Sequence, residues 1–71
     1  MFNKVKEYKH NNQTLLFDES LNSYILISYN TQVLEIVGNS IVMNGHGRYS
    51  VTTSKHITQA LSYLKNKKVI A

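Results

Sequence analysis

The strongest periodicity in the chain lies near its end. In TTSKHITQALSYLKNK (52–67), Ile57, Ala60, Leu61 and Leu64 recur at i, i+3, i+4 and i+7. That spacing predicts an amphipathic helix with one narrow apolar stripe. Thr53, or Ser54 one residue later, is the expected N-cap. Lys65, Lys67 and Lys68 stand where cations complement the negative end of the helix dipole.

Upstream the period changes to two. YILISYNTQVLEIV (24–37) is rich in β-branched and aromatic residues, as strands are. Ile25, Ile27 and Tyr29 share one face, and Val33, Glu35 and Val37 alternate against Leu34 and Ile36. The polar SYNT (28–31) interrupts this pattern, and Asn30 suits a bulge or tight turn, giving one long bent strand or two short ones. GN (38–39) predicts a hairpin into SIVMN (40–44), GHG (45–47) another turn, and RYSV (48–51) a further strand. Earlier, TLLF (14–17) reads as a strand between the turn HNNQ (10–13) and the loop DESLNS (18–23). Residues 2–9 are ambiguous between a short helical turn (Phe2, Val5, Tyr8) and a frayed edge strand, within a segment 1–12 also readable as loosely ordered. The predicted fold is α+β: a four-stranded antiparallel sheet with one C-terminal helix packed on one face. Ile57, Leu61 and Leu64 are expected to bury against sheet residues including Ile25, Ile27, Leu34 and Ile36.

Composition narrows what such a fold can do. Residues 1–71 make one small domain, and a chain of this length buries only about 60% of the surface its unfolded form exposes. A deep, water-excluding catalytic pocket is not expected, and no paired acid and base suggests one; the expectation is no enzyme and no cofactor. There is no cysteine, so neither a disulfide framework nor a thiolate metal site can form. His10, His46 and His56 lack i, i+4 spacing and form no HExxH motif, so no metal site is expected. No apolar run approaches a membrane span, and MFNKVKEYKHNNQ lacks the apolar segment of a signal peptide. Together with the missing disulfides, this favours a cytoplasmic address.

The net charge of +4 is unevenly spread. The first 35 residues set four acids (Glu7, Asp18, Glu19, Glu35) against Lys4, Lys6 and Lys9, a balance of −1. Residues 36–71 hold Arg48, Lys55, Lys65, Lys67 and Lys68 with no acid, a balance of +5. A basic half suits nucleic acid or an acidic protein face, or simply keeps a small domain soluble. GRYSVTTSKHI (47–57) concentrates the chemistry: Ser50, Thr52, Thr53 and Ser54 precede the helix beside Arg48, Lys55 and His56. The hydroxyls either cap the helix alone or join its free N–H groups in holding an anion. Gln59 and Tyr63 extend a helix-borne contact surface from His56, with Tyr63 also readable as bordering the core stripe. The candidate partner-binding set is thus Arg48, Lys55, His56, Gln59, Tyr63, Lys65, Lys67 and Lys68.

SYNTQV (28–33) followed by RYSVTTSKHITQAL (48–61) resembles a family of small proteins of bacteriophages and mobile elements with a Y-x-T-x-V … Y-S-x-T-T-S-[KR]-H signature. The matching positions are Tyr29, Thr31, Val33, Tyr49, Ser50, Thr52, Thr53, Ser54, Lys55 and His56. The resemblance spans about half the chain and carries no catalytic residues. It implies a mobile-element origin and, by association, a protein that binds and inhibits a bacterial host or defence protein, as phage counter-defence (anti-CRISPR) proteins do. A small basic nucleic-acid-binding protein is the alternative from another class. Exposed strand edges make a homodimer a further expectation.

Overall fold

The computed structural model describes residues 1–71. Its strands are β1 (Asn3–Lys4), β2 (Gln13–Asp18), β3 (Ser23–Ser28), β4 (Thr31–Val37) and β5 (Ser40–Asn44), followed by the helix α1 (Val51–Asn66). The strands form one antiparallel meander in sequence order, and α1 lies across β3 and β4 on one face. The architecture is the expected α+β with a C-terminal helix, but the sheet has five strands rather than four. The two-residue β1 is added and residues 24–37 split into two strands, while RYSV is no strand: it supplies a turn, the helix cap and the first helical residue.

The polar break in YILISYNTQVLEIV is a hairpin. Tyr29 and Asn30 form its two-residue loop, with φ of 48° and 69°. Two consecutive positive φ values match the right-handed twist of the flanking strands. Asparagine tolerates that conformation, whereas a tyrosine there is uncommon.

Beyond the hairpin, β4 bulges. Leu26 pairs with Leu34 and Ile27 with Gln32, so Val33 is the extra residue. The bulge brings Val33 and Leu34 inward together, each 1% exposed. Leu15, Leu26 and Leu34 then run in register across three strands, and Ile57, Ala60 and Leu64 of α1 close over this face with Ile36. Because side chains alternate, a buried Leu26 sends Ile25 and Ile27 to the opposite face, where they are half-buried. They are not under the helix as expected, and Leu61 borders the core rather than filling it.

Both chain ends are tied into this core. Val5 donates its N–H to Leu15 O at 2.8 Å, and Tyr8 is buried. The Tyr8 hydroxyl donates to Gln13 Oε1 at 2.5 Å, and Gln13 Nε2 donates to Gln59 Oε1 at 2.7 Å. Burial pushes the Tyr8 phenol up to about 12. At the other end Lys68 adopts φ 61°, Lys68 N–H bonds Lys65 O, and Val69 N–H bonds Leu64 O. This is a Schellman stop with lysine in the position glycine usually holds, and it turns Ile70 into the core.

Asp18 closes the β2–β3 connection. Its carboxylate accepts from the Met1 amino group at 2.7 Å and from Ser20 and Leu21 N–H at 2.9 and 3.3 Å. These bonds, the amino group's first, hold the carboxyl below its ordinary value. A depressed folded pKa contributes stability above the unfolded value of about 3.9, and that contribution is lost as pH falls through the folded pKa. Asp18→Asn is therefore expected to lower Tm at pH 7, with the gap to the parent closing towards about pH 2. Thermal melts of both proteins at the two pH values check this; an equal gap at both would remove the carboxylate as its source.

Candidate functional site

The helix begins earlier than its apolar stripe suggests. Ser50, not Thr53 or Ser54, is the N-cap: its φ and ψ are −66° and 164°, and its Oγ accepts from Thr53 N–H at 3.1 Å. Two further hydroxyls of GRYSVTTSKHI are engaged in the same local framework, and Thr52 is exposed. Thr53 Oγ1 lies 3.2 Å from Ser28 Oγ, and Ser54 Oγ accepts from Gly47 N–H at 3.0 Å. These bonds anchor the helix start to β3 and to the turn after β5. Gly45 completes the corner by donating to Val33 O at 2.8 Å. A Cβ at Gly45 would meet the Tyr49 ring at 2.6 Å, so the absence of a side chain there lets that ring lie close.

His56 stands one helical turn before Ala60, on the buried face of α1. It is buried at 7% exposure, with Nδ1 2.8 Å from Ser28 Oγ and the Tyr29 ring 5.5 Å away. It therefore leaves the expected contact set and belongs to the corner's interior.

An open cleft of about 590 Å³ remains outside that interior, lined by His46, Tyr49, Val51, Lys55, Thr58 and Gln59 among others. Val51 is 75% exposed and Tyr49 44%. Arg48 is exposed in the turn leading to it, and no carboxylate lines the cleft.

Tyr63, Lys65, Lys67 and Lys68 sit at the opposite end of the helix. Lys55 and Lys67 are twelve positions apart, about 18 Å along the axis at 1.5 Å per residue. The eight expected residues thus do not form one site. Glu7 holds part of the far group: it accepts a short hydrogen bond from the Tyr63 hydroxyl and pairs with Lys67 at 3.2 Å. Those two contacts, Tyr63 first, hold the Glu7 carboxyl below its ordinary value. Burial and the bond to Glu7 raise the Tyr63 phenol.

Sequence reasoning missed a second cationic surface. Lys4, Lys6, Lys9 and His10 line an open groove of about 870 Å³ together with Tyr8, Asn11 and Gln13. A smaller depression of about 460 Å³ shares Lys4, His10, Asn11 and Gln13 and leads to Tyr29 and Asn30. Neither holds a carboxylate. The Gln13–Gln59 hydrogen bond joins this groove to the helix-start cleft. No three His, Cys, Asp or Glu side chains gather as metal ligands, and no helix is long and apolar enough to cross a membrane.

Residues 1–70 match the Family of unknown function (DUF8033). The chain belongs to this family. No curated protein and no solved structure matches it. The DUF8033 match takes in the N-terminal 23 residues and the lysine-rich end, both outside the phage-protein resemblance. In this DUF8033 chain, several residues carrying that resemblance converge on one corner: Tyr29 against His56, Val33 at the bulge, Tyr49 over Gly45, and Ser50, Thr53 and Ser54 in the hydrogen bonds around the helix start.

Proposed function

We propose that the protein is a non-catalytic interaction protein that docks on an acidic face of a bacterial host or defence protein, such as a CRISPR effector, and inhibits it. The observation that carries this reading is the helix-start cleft. Ser50, Thr53 and Ser54 bond within the fold, while Tyr49, Val51, Lys55 and His46 stay open to solvent beside Arg48. Exposed aromatic, aliphatic and guanidinium groups brought to one corner resemble the composition of protein-interface centres. The phage and mobile-element resemblance supports a host or defence target, and the absence of a carboxylate in the cleft favours an acidic one.

The test is an Arg48→Glu, Lys55→Glu double variant used to capture partners from bacterial lysate beside the parent protein. Both residues are exposed, so its stability is expected to stay within about 0.5 kcal/mol of the parent. Its yield of the specifically captured protein is expected to fall at least about tenfold, as loss of about 1.4 kcal/mol of binding would give. Equal capture by the two proteins would overturn the placement of the docking surface.

A further inference from the structure

We propose that the N-terminal groove is a binding site for single-stranded nucleic acid, with backbone phosphates on Lys4, Lys6 and Lys9 and a base stacked on Tyr29. This site is distinct from the helix-start cleft and does not rest on the reading given for it.

The electrostatics come first. The chain has four acids, and none lines this groove; Glu7 and Glu19 border Lys4 in a separate depression that also holds Lys67. Glu7, next to Lys6 in the chain, turns away to Tyr63 and Lys67, and Asp18 takes the Met1 amino group. Lys4, Lys6 and Lys9 therefore have no ion-pair partner, and with His10 they face a groove without a carboxylate. Unneutralised lysines set along one groove follow a phosphate backbone by charge without reading sequence.

The groove also leads somewhere. Through Lys4, His10, Asn11 and Gln13 it passes into the depression that ends at Tyr29. That ring is 51% exposed and rests on the buried His56 at 5.5 Å, so it is supported from within and open to solvent. It sits at φ 48° in a two-residue turn, an uncommon place for a bulky side chain. A fixed aromatic at the end of a basic groove is the arrangement that holds unpaired bases. An acidic peptide satisfies the lysines but gives the ring no base, and a duplex keeps its bases stacked inside.

The experiment is fluorescence polarisation of the full chain with labelled oligothymidine and oligouridine of about twelve nucleotides, a matched duplex, and polyglutamate as competitor. Three phosphate contacts predict a log–log salt slope of about −2, or roughly a 16-fold loss of affinity between about 50 and 200 mM salt. Lys6→Gln with Lys9→Gln is expected to reduce the slope to about −0.7 while leaving Tm unchanged. Tyr29→Asn keeps a residue suited to the turn and is expected to weaken binding roughly 5- to 150-fold, the loss of one stacked base. Tyr29→Phe is expected to restore binding. The two single strands show whether DNA or RNA is preferred; either outcome supports the site. Absence of binding, tighter binding of the duplex, equal competition by polyglutamate, or loss through Arg48 and Lys55 in place of Lys6 and Lys9 would each overturn the proposal.

Discussion

Leu26→Ala is expected to lower stability by about 2–5 kcal/mol. Leu26 is fully buried at the centre of the sheet, between Leu15 and Leu34 and beneath α1. The two flanking strands fix its backbone, so the site cannot readily collapse around a missing side chain. A 71-residue domain has a total stability on the order of 4–11 kcal/mol, so the loss takes a large share. At this size 1 kcal/mol corresponds to about 4–8 °C in Tm, and a fall of at least about 10 °C is expected. Leu16→Ala supplies the contrast: Leu16 lies on the other face, half-buried, and its loss is expected to cost less than half as much. Thermal or urea unfolding of the two variants checks which face is the core. Equal losses would mean that the helix does not select the Leu26 face.

The facing error traces to one feature of strand physics. Alternation shows which residues share a face but not which face is covered. Ile25 and Ile27 look like the more hydrophobic side of β3, while Leu26 stands on the other side with Tyr24 and Ser28. The helix chose the Leu26 side because Leu15, Leu34 and Ile36 align with it, and that alignment depends on the bulge at Val33. A bulge shifts register by one residue and leaves only a weak mark in the sequence. The SYNT hairpin was easier to find, since asparagine among polar residues marks a turn, although the pattern alone left a bend or a break open. β1, at two residues, is too short to carry a pattern.

The candidate site was legible in part for a related reason. Lys55 and Arg48 were found because no acid is near them in sequence, and they remain exposed. The N-terminal lysines were set against neighbouring acids and so appeared neutralised. Folding separated them: Glu7 pairs across the molecule with Lys67, 60 positions later, and leaves Lys6 unpaired. Charge balance along a chain describes the surface only when ion pairs are local.

His56→Ala is expected to cost roughly 2–4 kcal/mol, combining a lost buried ring with a lost buried hydrogen bond. In the sequence His56 reads as an exposed first-turn residue, because the apolar stripe starts at Ile57. The buried face of the helix in fact runs Thr53, His56, Ile57, Ala60 and Leu64, and its first two members are polar. They can be buried because Ser28, also buried, faces them from β3 and bonds to both. A buried polar cluster is tolerated when its members satisfy one another, and nothing in the linear sequence links Ser28 to residues 25 and 28 positions later. Two variants separate volume from bonding. His56→Phe keeps a ring but leaves Ser28 with Thr53 alone, and is expected to cost about 1 kcal/mol. His56→Ala loses both and is expected to free the Tyr29 ring that rests on it. Urea unfolding gives the two stabilities. If the alanine variant unfolds within a few tenths of a kcal/mol of the parent, as surface substitutions do, His56 faces solvent and its place on the buried face of the helix is wrong.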